Sequence, residues 1–500
     1  MTAISERRLW ALTAAGAGLL AGLALPPLGC PPLLWPAVAV LWACLAGGSR
    51  RPAMLWGAAA VLVSHRWLLW LHPLDWIGVP GPLSLPLALL LWTLCALLGA
   101  LLVGLWAGLV AWLDPRRLST ALIGASVWGL AEVLLARGPL FWIGLGAAAL
   151  PGDRPLAGLA ALGGAGLLAA LQLLIGWGLW RALSAPAARL RWLCLLLAGV
   201  LAVHLLGAGV LAVSDREGAP AGGAERGGGE ELLVLQPAIP TRQKFAWPQQ
   251  LRLLRQLEAA LSAPAGATTL LLPEGALALD QQLPLPASLE VLSGGFRRVG
   301  REQRSSLLRF APGALDPGRW LDKHRLVPLG EWVPLAGLAS WSGLSAVGGL
   351  TPGEPSRLLL RPDASAVGVA ICYEIADGTA LAAASRGGAR WLLASANLDP
   401  YPPLLQGQYA ALARLRAIET GRWLVSSANT GPSLLIDAVG RLRGALPAGE
   451  STLGRLRVEP RTTLTAYDRV GEAPLLLLLA AGLLLRLRQP GYNRLSLPSP

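Results

Sequence analysis

One cysteine, one glutamate and one lysine stand where covalent acyl chemistry would need them. "VAICYE" places Cys372 behind an apolar strand pattern, and the other four cysteines all lie at or before position 194. A thiol in this position reads either as a buried strand-end side chain or as a nucleophile. A nucleophilic thiol needs a base or a cation to reach the thiolate form near neutral pH. His324 is the only histidine beyond position 204, so a Cys–His–Asn arrangement is poorly supported. Glu274 ends the strand-like "TTLLLPEG" and reads either as a solvated turn residue or as a base facing a site. Lys323, in "LDKHRLVPLGEWVP", is notable for its type: forty of the 42 Lys and Arg residues are arginine, and Lys244 is the only other lysine. A compact ammonium beside a thiolate attacking a carbonyl stabilises the developing oxyanion, whereas Arg presents a broad planar fork. There is no HExxH, no paired CxxC and no Asp/His cluster, so no metal site is expected.

These residues need a scaffold, and the second half of the chain has the texture of one. "ELLVLQPAI", "TTLLLPEG", "ARWLLASAN" and "RWLVSSAN" read as strands. "RLLLRPDASAVGVAICYE" reads as two strands around a turn, and "SLLIDAVGRLRGAL" as a hairpin. Between them, Gln249–Leu261, "GTALAAASRGG" and "YAALARLRAIETG" carry helical spacing. The expectation is an α/β or α+β domain large enough to bury a core. Its candidate residues follow strands, where open α/β sheets gather their sites.

The first half has a different composition. Of the whole chain, 54% is hydrophobic and only 14% charged, against about 25% charged in soluble proteins. The 21 Trp residues, against 5 Tyr and 4 Phe, often flank apolar runs, as interfacial aromatics do. Runs long enough for a bilayer are read at 9–27, 33–49, 53–71, 83–113, 120–136, 156–180 and 192–213, with a shorter one at 473–487. Arg7, Arg8, Arg50, Arg51, Arg116, Arg117, Arg181, Arg189, Arg191, Arg486, Arg488 and Arg494 fall in alternate loops; the others carry only Arg137 and Arg154. This asymmetry predicts eight spans with both termini cytoplasmic and the segment from 214 to 472 outside. Residues 1–29 also fit a cleaved signal peptide, which six further spans in immediate succession disfavour. The net charge of +13 is scattered or beside apolar runs, so no nucleic-acid partner is expected. His65, Arg66, Glu132 and His204 lie in or near apolar runs and suit either a functional role or interhelical pairing.

In this order, "LLLPEG", "DKHRLVPLGEWVP" and "VAICYE" resemble the Glu–Lys–Cys motifs of nitrilase-like carbon–nitrogen hydrolases. The version fused to membrane helices is the apolipoprotein N-acyltransferase family, and the likeness extends over the chain. "WGLAEVLLARGPL", "GDRPLAGLAALGGAGLL" and "LARLRAIETGRWLVSSANTG" also resemble segments of that family. The resemblance implies a multi-span α-helical membrane domain plus an α/β nitrilase-like αββα sandwich domain. The boundaries expected are a seven-helix membrane domain at 1–213, a Gly-rich linker at 214–231 and a periplasmic catalytic domain at 232–472. A last membrane helix at 473–488 and a cytoplasmic tail at 489–500 follow.

Carried over residue by residue, the likeness implies Glu274 as general base, Lys323 as oxyanion stabiliser and Cys372 as nucleophile. Glu331 matches an additional glutamate that holds Lys323; Tyr373 and Glu374 match the residues after the nucleophile. Phe245 or Trp247 matches an arm residue that is often Trp. Leu321, Leu329 and the segment "SANLDPYPP" depart from the usual pattern, which touches lipid preference more than reaction type. The apolar stretch Gly330–Leu350, with Trp332 and Trp341, reads either as a buried loop or as a lid dipping into the membrane interface.

The implied reaction is a ping-pong transfer of a fatty acyl chain in the inner membrane of a bacterium. The donor is a membrane phospholipid, the acceptor a diacylglyceryl apolipoprotein, and no metal or organic cofactor takes part. Two other readings use the same sequence. One is a membrane-tethered amidase or nitrilase with water as acceptor. The other is a transport or assembly protein with an inactive outer domain, which the intact residue set and the lack of paired broken helices disfavour.

Overall fold

The computed structural model describes residues 3–488 except 48, 76–78, 218–227, 245, 263–265, 329, 333–348 and 400. Phe245 and Trp341, most of the expected lid, ten residues of the expected linker and the tail beyond 488 lie outside the described residues.

The first half is helical: α1 (Ala3–Ala24), α2 (Pro31–Ala46), α3 (Arg50–Ser64), α4 (Gly81–Trp112), α5 (Leu118–Ala136), α6 (Arg154–Ala157), α7 (Ala160–Ser184) and α8 (Arg189–Glu217). Among the described residues, four helices are long and apolar enough to cross a membrane: α4, α5, α7 and Pro186–Glu217. Arg8–Ala24 and Pro31–Ala46 are apolar but shorter. The third apolar run is a 15-residue helix that stops at Ser64, and a separate 3-10 turn covers Arg66–Leu71. The sixth run is interrupted inside α7, where Gly163 and Gly164 leave helical geometry and kink the helix near its start. On α8 only Gly207 and Leu211 are buried, leaving a leucine-rich surface that suits lipid. His65, Glu132, His204 and Arg66, the four polar residues noted in or near the apolar runs, are all partnered. His65 Nδ1 meets Ser64 Oγ at 2.9 Å, Glu132 accepts from Trp128 Nε1 and Leu145 N, and His204 Nε2 meets Asp153 Oδ2 at 2.8 Å. Arg66 Nη1 donates to the Val63 carbonyl.

The second half contains two six-stranded sheets. In chain order the elements are β1 (Glu230–Gln236), α9 (Trp247–Leu261), β2 (Thr269–Leu272), β3 (Glu290–Val299), β4 (Glu302–Phe310) and β5 (Arg319–Asp322). They continue with β6 (Leu358–Leu359), β7 (Val367–Ile371), α10 (Gly378–Arg386), β8 (Trp391–Ala396), α11 (Pro403–Thr420), β9 (Leu424–Ala428), β10 (Leu434–Ile436), β11 (Leu442–Ala445) and β12 (Thr452–Val458). The short helix α12 (Ala466–Val470) and the apolar α13 (Ala473–Leu487) close the chain. The expected Ser214–Glu231 linker is shorter in the structure, because α8 runs on to Glu217 and β1 begins at Glu230.

One sheet has the order β12-β1-β2-β3-β4-β5 and the other β11-β10-β9-β8-β7-β6. The strands at the middle of each run parallel: β1, β2 and β3 in the first, β7, β8 and β9 in the second. Alternation along each strand assigns its two faces. Leu232, Val234, Leu271 and Leu292 join Val367, Val369, Ile371 and Leu393 in the core between the sheets. Leu233, Leu235, Leu270 and Leu272 turn the other way, onto Leu257, Ala260 and Leu261 of α9. Ala370, Leu392 and Ala394 face Leu381 of α10 and Leu412 and Ala413 of α11. The result is an αββα sandwich.

Its second helical layer also packs on the membrane helices. Leu415 and Ile418 of α11 share a core with Leu159 and Ala160. Gln408 Nε2 donates to Ser64 O at 2.8 Å, and Glu419 Oε1 accepts from Ala165 N at 2.9 Å. The sandwich therefore sits directly on the helical region.

Candidate active site

The candidate residues fall just beyond strand ends. Glu274 comes two residues after β2, Lys323 directly after β5 and Cys372 directly after β7. At Cys372 the chain turns from strand into the 3-10 segment Cys372–Ala376. Cys372 has φ of 55° there, a left-handed conformation that few non-glycine residues adopt. Such strain is held by its surroundings, and here Glu374 is the main support. Its carboxylate accepts from Ile371 N at 2.9 Å, His324 N at 2.8 Å and Arg325 N at 3.0 Å. Arg357 Nη1 donates to both Glu374 oxygens, at 3.1 and 3.0 Å. One buried carboxylate thus ties the Cys372 turn to the segment after Lys323.

Lys323 is 1% exposed. Its Nζ lies 2.7 Å from Glu274 Oε1 and 2.7 Å from Glu331 Oε1. The Tyr373 ring lies 5.9 Å away, and Tyr373 Oη donates to Leu326 O at 2.6 Å. Glu274 Oε2 accepts from Asn397 N at 3.2 Å, and Glu331 Oε2 from Val327 N at 2.9 Å. Glu274 is seated against β3 at Gly294, where a Cβ would fall 2.4 Å from the Glu274 Cα. Glycine permits that approach.

Burial opposes the charge on Lys323, but Glu274 and Glu331 outweigh it and hold the ammonium well above its ordinary range. Burial raises the Glu331 carboxyl, against the pull of Lys323. Burial first and the charge of Glu274 second push the Cys372 thiol well above its ordinary range, against the pull of Lys323. A neutral thiol thus faces a carboxylate and a fixed cation. An ammonium has three N–H donors; among the described residues two serve Glu274 and Glu331, which leaves one for an oxyanion.

Six of the ten candidates gather here: Glu274, Lys323, Cys372, Glu331, Tyr373 and Glu374. Trp332 adjoins Glu331 and is 45% exposed. Trp247 opens α9, is 72% exposed and lines a cavity of about 550 Å³ together with Lys244 and Phe296. The sequence reading passed over Asn397 and Arg357. Asn397 is a polar residue just beyond the strand β8, a signal that was legible; Arg357 is one of forty arginines and had none. Arg325 Nη2 donates to Gly138 O of the helical region, and Tyr401 packs edge-on to Trp67 at 5.7 Å. The segment after Lys323 and the segment after Asn397 therefore touch the helical region.

An αββα sandwich with a Glu–Lys–Cys cluster beyond its strands defines a carbon–nitrogen hydrolase domain, and the model of that family, Carbon-nitrogen hydrolase, matches residues 322–463. A second family model, Apolipoprotein N-acyltransferase N-terminal domain, matches residues 17–178. The apolipoprotein N-acyltransferase of Prochlorococcus marinus (strain MIT 9313) is 49% identical over 94% of this chain and 95% of its own length. That of Parasynechococcus marenigrum (strain WH8102) is 47% identical over 91% and 95%. The chain belongs to the apolipoprotein N-acyltransferase family and is an acyltransferase.

Proposed function

We propose that this protein moves a fatty acyl chain from a membrane phospholipid to the α-amino group of the N-terminal diacylglyceryl-cysteine of apolipoproteins, through a thioester on Cys372. The observation that carries the reading is the Lys323 ammonium held between Glu274 and Glu331 beside the Cys372 turn. In the first half-reaction Glu274 takes the Cys372 proton and the thiolate attacks the ester carbonyl. The tetrahedral oxyanion forms against the free N–H of Lys323. Collapse breaks the ester C–O bond, the lysophospholipid alkoxide leaves with the proton from Glu274, and a thioester remains. In the second half-reaction the amine attacks the thioester and gives a proton to Glu274. The C–S bond breaks, an amide is formed and the proton returns to the sulfur. Ping-pong kinetics follow.

The apolar helices bring the site to substrates that are themselves lipid-anchored. In this reading the chain crosses a bacterial inner membrane eight times, with both termini cytoplasmic and the sandwich on the periplasmic side. Trp247 and Trp332, both exposed, act as interfacial side chains; Phe245 and Trp341 share that role by their sequence positions. An amidase would use the same three residues with water as acceptor, and the match of the N-acyltransferase N-terminal domain to the helical half favours acyl transfer.

The test is mass spectrometry of the purified full chain mixed with phospholipid vesicles. The peptide containing Cys372 should gain a fatty acyl group, and a diacylglyceryl-cysteine peptide should discharge it as an amide. Cys372→Ser should give no thioester. Ammonia release from simple amides without any Cys372 adduct would sink the reading.

A further inference from the structure

Lys244 is the second of only two lysines in the chain, and the mechanism above gives it no task. It follows the short turn Thr241–Gln243. Its Nζ donates to the carbonyl oxygen of Gly275, the residue directly after Glu274, and lies 5.8 Å from the Phe296 ring. Gly275 has φ of 66°, and a Cβ there would stand 2.7 Å from Nζ. Only glycine suits both that backbone and that approach. Burial lowers the proton affinity of Lys244, and the charge of Glu274 works against that loss.

The same turn reaches Glu274 by a second route. Thr241 N donates to Asp399 Oδ2 at 2.7 Å, Asn397 Nδ2 donates to Thr241 Oγ1 at 2.7 Å, and Asn397 N donates to Glu274 Oε2 at 3.2 Å. Asn429 Nδ2 in turn donates to Asn397 Oδ1 at 2.7 Å. Lys244, Glu274, Asn397 and Asn429 share the lining of one small internal cavity. The base is thus gripped twice from the far side of Lys323: at its carboxylate by Asn397, and at the following peptide by Lys244.

We propose that Lys244 is a positioning residue for acyl transfer, pinning the Pro273–Gly275 turn so that Glu274 presents its carboxylate to Cys372 and Lys323. The inference rests on the reading of Glu274 as the base. Lys244 acts through that placement, so its loss should slow the chemical step and leave donor binding alone.

The test compares wild type with Lys244→Met and Lys244→Arg, as full chains in detergent with phospholipid micelles. Lys244→Met should lower the rate of acyl-enzyme formation at saturating phospholipid about tenfold, the scale of a small misplacement of a reacting group. The half-saturating phospholipid concentration should stay put. Lys244→Arg, which keeps cation and donor, should recover most of the rate. Alkylation of Cys372 by iodoacetamide should quicken about threefold near pH 8 in Lys244→Met, as a displaced Glu274 presses less on the thiol. Should Lys244→Met fail to fold, Lys244→Gln carries the same comparison. An unchanged rate and unchanged alkylation would overturn the proposal. So would a loss that follows falling thermal stability alone and that Lys244→Arg does not relieve. Wild-type protein that never acylates Cys372 counts against the acyl-transfer reading instead, and the alkylation comparison still decides the role of Lys244.

Discussion

Lys323 and Glu274 form an ion pair 2.7 Å long in which the lysine is all but fully buried, at 1% side-chain exposure. Glu331 accepts a second Lys323 N–H, with the same N–O distance. The pocket therefore fits a slender ammonium stem, and the planar fork of Arg brings extra bulk and five donors instead of three. Lys323→Arg should lose acyl-enzyme formation by at least about 100-fold, the scale of removing one oxyanion donor. Lys323→Met should lose the reaction and also stability, by about 3 kcal/mol, because it strands two carboxylates in a poorly solvated site. Single-turnover acylation and thermal unfolding of both variants check this. Near-wild-type turnover in Lys323→Arg would mean that only a positive charge is needed there.

Why Lys323 stood out in the sequence is now physical. In a chain that uses arginine nearly everywhere else, the lysine at 323 marks a place where the fork does not fit. The parallel strands were legible because Leu, Val and Ala alternate between two cores, as in β1 and β8. The hairpin of β3 and β4 was not read, since "VLSGGFRRVGREQRSSLLRF" mixes arginine, serine and glycine with few apolar residues. Of these residues, Gly294 sits where β3 passes behind Glu274, and Ser306 of β4 donates to Asp322 Oδ1 beside Lys323. Arg357 was illegible because its meaning is a partnership with Glu374 across 17 residues, which no local pattern encodes. The early end of the third helix at Ser64 was equally hidden, for "VSHRWLLWL" stays apolar past the break.

The raised Cys372 thiol gives a prediction in which two assays move in opposite directions. Burial and the charge of Glu274 disfavour the thiolate, so at rest it forms only as pH climbs past the ordinary thiol range. Alkylation of Cys372 by iodoacetamide should therefore rise about tenfold per pH unit between about pH 7 and pH 9, with no plateau. Glu274→Gln removes the raising charge and leaves Lys323 in place. Alkylation at about pH 8 should then be faster than in wild type, while acyl transfer is lost with the base. Peptide mass spectrometry follows Cys372 separately from the other cysteines. A plateau near neutral pH, or slower alkylation in Glu274→Gln, would show that the thiol is activated before substrate arrives.

Glu374 should behave as a support for the Cys372 turn. It accepts from three backbone N–H groups and from Arg357, all within one buried cluster. Glu374→Gln keeps the shape but turns an NH2 group toward donors, so at least one buried donor loses its acceptor. Breaking such a buried pair costs about 3 kcal/mol. The variant should unfold at lower temperature and lose acylation together. A variant of normal stability that has lost acylation would instead give Glu374 a direct part in the chemistry.

The far end of the sandwich offers the opposite signature. Glu290, at the start of β3, takes Arg309 Nε on one oxygen and Arg361 Nε at 2.7 Å on the other. Arg361 also reaches Glu230 Oε2 at 2.8 Å and Thr269 Oγ1 at 2.9 Å, at the starts of β1 and β2. Arg361 follows β6 of the other sheet, so this network fastens the two sheets at the N-terminal ends of the parallel strands, away from the candidate site. Glu290→Ala leaves two buried guanidinium groups short of a carboxylate and should destabilise the sandwich by about 3 kcal/mol. On a domain of this size that is a fall of roughly 6–12 °C in Tm. Acylation per folded molecule at a temperature well below the transition should remain within about twofold of wild type, because distant, independent sites do not couple. If the loss of acylation exceeds the loss of folded protein, the ion network is coupled to the site through β2 and β3.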